Sequence, residues 1–152
     1  MRLQGEKPFG VARETLFRAL EDPQVLGRTL PGVKELVAEG QGRYRTVLEL
    51  ALGPFKGQFR GQVEVRERCP PETLALRLSV ESPVGRAEGE GRLFLEEAEG
   101  ATRMRYEGEA RLMGGLAALG GRLLLGAAQG LLDQFFRNLE AELGRRYGAG
   151  TG

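Results

Sequence analysis

The sequence predicts an α+β fold in which one curved antiparallel sheet of seven strands wraps a long C-terminal helix. Two features carry that expectation. From Val33 to Leu112, apolar residues recur at every second position in six successive runs separated by turn residues, the period of strands with one buried face. From Leu116 to Leu143 they recur at every fourth position, at Leu119, Leu123, Ala127, Leu131, Phe135, Leu139 and Leu143, as in one helix with one apolar face. A sheet and a helix that are each apolar on one side must cover those sides, and the economical cover for each is the other.

The elements follow in order. Leu3, Gly5, Lys7 and Phe9 alternate against Arg2, Gln4 and Glu6, a first strand whose inward set includes a lysine. Val11, Leu16, Phe17 and Leu20 stand among charges, a short amphipathic helix over Val11 to Leu20 that Asp22-Pro23 ends. Pro23 suits the first turn of a second short helix, Gln24 to Leu30, closed by Pro31-Gly32. Six strands then run over Val33–Ala38, Tyr44–Leu52, Phe55–Arg66, Leu74–Val80, Ala87–Glu96 and Thr102–Leu112. Gly40-Gln41-Gly42, Gly53-Pro54, Cys69-Pro70-Pro71, Ser82-Pro83 and Glu99-Gly100 turn the chain between them. Several strands exceed the common length of about five to six residues, which suits a strongly bent sheet. Gly57, Gly61, Gly89, Gly91 and Gly108 all fall on the inward face, where they permit bends or keep the interior free of side chains. A single domain over residues 1–147 accounts for these elements, with 148–152 as a flexible tail.

Composition narrows the chemistry. There is no histidine and Cys69 is the only cysteine, so Ser-His and Cys-His catalysis, disulfides and the usual zinc sites are excluded. No metal, cofactor or catalytic set is expected. Twenty-two basic against 21 acidic residues, interleaved along the strands, leave no basic footprint for nucleic acid. All the basic residues but Lys7, Lys34 and Lys56 are arginine and the one asparagine is Asn138, a bias that fits a heat-adapted organism or high genomic GC content. MRLQGEKPFG lacks the apolar core of a secretory signal, so a cytoplasmic protein is expected. Leu112 to Leu132 is long enough to span a bilayer, but Arg122 sits inside it and Gly114-Gly115 breaks its start.

Particular residues sharpen the fold class. Asp22-Pro23 with Leu26, Leu30-Pro31-Gly32-Val33 and Glu35-Leu36, Gly53-Pro54-Phe55-Lys56-Gly57 with Phe59 and Gly61, Gly89-Glu90-Gly91, Thr102-Arg103-Met104 with Tyr106, and Asp133-Gln134-Phe135-Phe136 span nearly the whole chain. In this order they resemble the carbon monoxide dehydrogenase G-subunit (CoxG) family, within the START-like or SRPBCC superfamily of helix-grip folds. The resemblance implies a cavity between sheet and helix that binds a hydrophobic small molecule, lipid or quinone-like. It also implies service to a carbon monoxide dehydrogenase-type molybdenum hydroxylase in assembly, membrane recruitment or electron delivery. Some family members carry a hydrophobic C-terminal extension; this sequence ends in Arg145-Arg146-Tyr147 and a Gly-rich tail, so membrane contact at the inner face is expected to be peripheral or absent.

On that reading the cavity is lined by Leu48, Leu50, Phe55, Phe59, Val63, Leu76, Leu78 and Met104 of the sheet and Leu119, Leu123 and Ala127 of the helix. Leu26 and Leu30, the Gly53-Pro54 turn and the Gly-rich start of the helix form its mouth. Tyr44, Thr46, Tyr106 and Lys7 are inward polar groups that would orient a ligand, or else bond to nearby backbone. The same apolar set would equally fill a solid core. Gly120, Gly121, Gly126 and Gly130 each cost about 0.8–1 kcal/mol relative to alanine in a helix; they thin or kink it beside a ligand, pack it closely on the sheet, or, at Gly126 and Gly130, pair helices in a membrane. Glu88 and Glu90 point to solvent by strand alternation, and Asp133 and Gln134 face solvent, a partner or the cavity mouth. Two further readings stay open. One is an adaptor that docks to such an enzyme or to a membrane surface without a ligand. The other, a small cyclase or hydrolase, has only Lys7, Tyr44 and Tyr106 to work with.

Overall fold

The computed structural model describes residues 1–147; the tail expected over 148–152 lies outside them. The elements are β1 (Arg2–Phe9), α1 (Arg13–Leu20), α2 (Pro23–Thr29), β2 (Val33–Gly40), β3 (Arg43–Leu52), β4 (Phe55–Cys69), β5 (Thr73–Ser82), β6 (Gly85–Ala98), β7 (Ala101–Gly114), α3 (Gly115–Ala118) and α4 (Gly121–Tyr147). The strands form one seven-stranded sheet in the order β1-β7-β6-β5-β4-β3-β2, every neighbouring pair antiparallel. β2 to β7 are successive hairpins, and β1 closes the far edge by pairing with β7. This is the helix-grip fold. β4, β6 and β7 reach 15, 14 and 14 residues, longer than the alternation alone indicates, because pairing continues into the hairpin ends.

The second short helix forms where the sequence places its cap, whereas α1 starts after Ala12 without a side-chain cap. Asp22 precedes α2, its Oδ1 accepts the Gln24 N–H at 2.9 Å, and Pro23 opens the helix without wasting a donor. Asp22→Ala is expected to cost about 1 kcal/mol, read as a lower urea midpoint with an unchanged slope.

The C-terminal helix differs from its expected form in two ways. It is not one helix from Leu116: α3 ends at Ala118, Gly120 adopts φ +92°, and α4 starts at Gly121. A left-handed residue at that point stops one helix and lets the next start in a new direction, which glycine does at least cost. Nor do its seven regularly spaced apolar residues share a face. Four residues exceed one helical turn by about 40°, so a strict four-residue row winds about 240° around the helix over six steps. Leu123 is therefore 47% exposed while its neighbour Leu124 is buried. The buried line of α4 is Leu124, Phe136, Leu139 and Leu143.

Among the described residues, buried side chains gather in two clusters at opposite ends of the sheet. The larger joins Phe9, Leu16, Phe17, Leu20, Val25, Leu74, Leu95, Met104, Tyr106, Phe136, Leu139 and Leu143, with Phe136 set edge-on to Phe9 and tilted against Tyr106. The smaller is Phe59, Leu116 and Leu124, bordered by Leu50, Leu52, Phe55, Val80, Leu112 and Leu119. The backbone of α4 comes closest to α2 and β1 rather than to the central strands. What lies between the two clusters is the functional question.

Candidate functional site

Antiparallel pairing places opposed residues on the same face, so the rows across the sheet can be read from its register. One row on the concave side runs Tyr44, Val63, Leu78, Gly89 and Ala110 through β3, β4, β5, β6 and β7. Leu78 stands in its middle on the central strand. Its same-face neighbours Leu76 and Val80 pack against the larger and the smaller cluster, yet Leu78 itself is 40% exposed. A leucine in the middle of a concave sheet beneath a helix is that exposed only when the helix does not reach it. Four residues after the buried Leu124, the helix offers Ala128, with Ala127 beside it, and both are half-buried. Tyr44, Val63 and Leu78 of this row line a hollow of about 340 Å³ together with other residues of β2 to β5.

The expected lining residues divide accordingly. Phe59, Met104 and Tyr106 are buried inside the clusters and have no free wall. Leu50, Phe55, Leu76 and Leu119 border the clusters, while Leu26, Leu30, Tyr44, Leu48, Val63, Leu78, Leu123 and Ala127 belong to neither. The mouth residues are not gathered at one rim. Leu123 packs on Gly53 at the β3–β4 turn, whereas α2 is tied to α4 at Asn138, whose Nδ2 donates to the Thr29 carbonyl at 3.0 Å. Fifteen residues of helix, about 22 Å, separate those points, so they do not bound one opening.

The inward polar groups have specific partners. The Tyr44 hydroxyl donates to the Glu21 carbonyl at 3.0 Å and the Thr46 hydroxyl to the Glu35 carbonyl at 2.8 Å, so both protons are committed to backbone. Burial first, then the charges of Glu21 and Asp22, raise the Tyr44 pKa and keep the phenol a donor. Lys7 lies 4.0 Å from Glu140 of α4, a pair at the strand's end. Tyr106 differs: its hydroxyl accepts from Gln129 Nε2 at 3.3 Å across the space between β7 and α4. In the sequence Gln129 only interrupts an apolar run, and nothing there marks it as a site residue. A signal exists nonetheless, since Gln129 stands seven residues, about two turns, before Phe136 and so shares its buried face.

The glycines answer differently from one another. At Gly89 an added Cβ would stand 2.8 Å from the Glu109 carbonyl oxygen, so glycine there lets adjacent strands crowd where the sheet bends inward. Around Gly120, Gly121, Gly126 and Gly130 an added Cβ would meet nothing within 4 Å. Close packing on the sheet, one of the expected reasons for these four, is therefore overturned. Glu88 points to the outer face, as strand alternation predicts, and there bridges Arg86 at 2.7 Å and Arg111 at 3.7 Å. Among the described residues no group of three metal-ligating side chains forms, and no helix is long and apolar enough to cross a membrane.

A family model for CoxG, the G subunit of carbon monoxide dehydrogenase, matches residues 5–144. The chain belongs to the CoxG family. Among solved structures, a conserved protein from Geobacillus kaustophilus is similar at 27% identity, with 95% of this chain and 96% of that one covered and a TM-score of 0.90. A Mycobacterium smegmatis protein, at 16% identity, covers 96% of this chain and 92% of its own with a TM-score of 0.74. A Thermus thermophilus protein, at 18% identity, covers 97% and 99% with a TM-score of 0.71. These last two share the fold alone. No curated protein matches the chain. Membership in the CoxG family suggests an accessory role for a carbon monoxide dehydrogenase.

Proposed function

We propose that this CoxG-family chain is a non-enzymatic carrier that holds a hydrophobic molecule, lipid or quinone-like, in the cleft between sheet and α4, and that it serves a carbon monoxide dehydrogenase-type molybdenum hydroxylase. The observation that supports this most is the half-exposed Leu78 at the centre of the concave face. Apolar surface left wet in the middle of a fold is free energy available to a ligand, at about 25 cal/mol per Å² removed from water. Leu48, Val63 and Ala127, outside both packed clusters, extend the same surface. Gln129, half-buried on α4 and held by the buried Tyr106 hydroxyl, supplies a neutral hydrogen-bonding group at one end, as sites for small apolar molecules commonly have. Small residues and glycine breaks around α3 give the cleft a segment that can shift as the ligand enters.

Native mass spectrometry of protein purified gently from its source, with extraction of bound material, tests the reading. A stoichiometric lipid or quinone is expected. Leu78→Trp should fill the cleft, since it adds volume where solvent now stands, and abolish that binding while the melting temperature holds. A wild-type protein that is empty and takes up neither quinones nor fatty acyl compounds offered in excess would leave the adaptor without a ligand as the better account.

A further inference from the structure

The two edge strands of the sheet, β1 and β2, are built differently. β2 carries register shifts between Val33 and Glu35 and between Ala38 and Gly40, and its charges Lys34 and Glu39 are paired with Glu49 and Arg45 of β3. Bulges and charges of that kind keep an edge strand from pairing with another chain. β1 has no such break: it pairs with β7 in unbroken register from Arg2 opposite Glu109 to Phe9 opposite Thr102. The direction of its backbone groups follows from one bonded pair. Met1 N donates to the Ala110 carbonyl at 3.0 Å, and the Met1 carbonyl accepts the Ala110 N–H at 2.8 Å. Such pairs alternate along an antiparallel ladder, which turns the backbone of Leu3, Gly5 and Lys7 towards β7 and that of Arg2, Gln4 and Glu6 outward. The next outward position is Pro8, which has no N–H to offer.

Arg2, Gln4 and Glu6 are exposed and share the outer face, and among the described residues Arg2 and Glu6 form no ion pair. A second β1, turned about a two-fold axis that stands perpendicular to the sheet at Gln4, would set Gln4 against its own copy and Arg2 against the copy's Glu6, once on each side of the axis. Every opposed pair would exchange both of its backbone hydrogen bonds, and Pro8 falls beyond the paired stretch. We propose that β1 is the docking edge for a second copy of this chain, joining two seven-stranded sheets into one. The neighbouring strands fit the same arrangement. Glu109 stands beside Arg2 and Arg105 beside Glu6 in the register of β1 with β7, so the row across the join runs Glu109, Arg2, the copy's Glu6 and the copy's Arg105. The sign alternates at every step, and opposed charges on facing strands attract. A strand of another pattern would leave Arg2 and Glu6 unmatched or set like charges against them, whereas this strand is complementary to itself. The axis keeps both α4 helices on one side of the joined sheet. This inference does not rest on the cleft being occupied.

Sedimentation equilibrium of the full chain tests it. The wild type is expected to dimerise. Arg2→Glu and Glu6→Arg each set like charges opposite one another on both sides of the axis, and each should weaken the dimer about tenfold or more. Both side chains are on the surface, and melting curves check that the variants fold. An equimolar mixture of the two variants restores opposite charges at both places, so it should recover a dimer, seen by native mass spectrometry as a species containing one chain of each. A wild type still monomeric at about 1 mM, the weak end of specific association, would overturn the proposal. So would a dimer that neither reversal weakens, because the interface would then lie elsewhere. Folded variants that stay apart when mixed would overturn it as well.

Discussion

Phe136→Ala is expected to destabilise the protein by about 3–5 kcal/mol, the usual cost of emptying a buried aromatic site. Phe136 is where the long helix is fastened to the sheet. Its ring lies 6.3 Å from that of Phe9 on β1, 5.2 Å from that of Tyr106 on β7 and 5.5 Å from that of Phe135. Removing it leaves a hole that three rigid rings on three elements cannot close together, so the cavity term adds to the lost transfer energy. Because α4 touches the sheet mainly through this cluster, the loss should also free the helix over the cleft. Thermal denaturation should show a fall in Tm of about 10 °C for a chain of this size. Phe136→Leu, which keeps most of the apolar volume, should restore much of it. A variant with alanine that melts within a degree or so of the wild type would mean that the fastening lies elsewhere.

Glu142→Gln is expected to cost about 2 kcal/mol at neutral pH, the order of charge-assisted hydrogen bonds lost from a buried acceptor whose partners can still reach water. Glu142 is only 3% exposed, yet it is charged, because arginines surround it. Its Oε2 accepts from Arg146 Nε at 2.6 Å, its Oε1 accepts from Arg145, and Arg28 of α2 approaches to 3.8 Å. Hydrogen bonding from Arg146 holds its pKa below the ordinary value of 4.5 against the opposing effect of burial, with Arg145 adding to the depression. A carboxyl whose pKa is lower in the folded state stabilises the fold above its unfolded pKa. That contribution is lost as pH falls through the folded value. The stability gap between wild type and Glu142→Gln should therefore be full at neutral pH, begin to close as pH falls through the ordinary carboxylate range, and be lost once pH is below the depressed folded value. Urea denaturation at several pH values would show this; a gap independent of pH would mean that the glutamine disturbs packing rather than removing a charge.

These two sites show how unevenly the sequence exposes its structure. Phe136 was legible as part of a motif shared with the CoxG family, although the ring it meets on β1, that of Phe9, comes from the opposite end of the chain. Glu142 was not legible at all. A glutamate among arginines near a helix end reads as an ordinary solvated face, and only the docking of α2 turns it into a buried acceptor. The cleft residues fall between these cases. Strand alternation correctly put Leu78, Met104 and Phe59 on one face of the sheet. It could not tell that Met104 and Phe59 would be covered and Leu78 left wet, because period two reports which side a residue faces and nothing of what stands opposite.

What the sequence determined by itself was local or followed from pairing of neighbours: the order of strands and short helices, the hairpin turns, the Asp22-Pro23 cap and the inward set of each strand. These depend on backbone preference and on a two-residue period that survives any tertiary arrangement. Only the tertiary structure decided how α4 lies. Its break at Gly120 and which of its apolar residues meet the sheet come from how a straight helix meets a bent sheet that it touches at its two ends. Leu78 stays exposed between the two clusters, and no periodicity within one element encodes what stands opposite it.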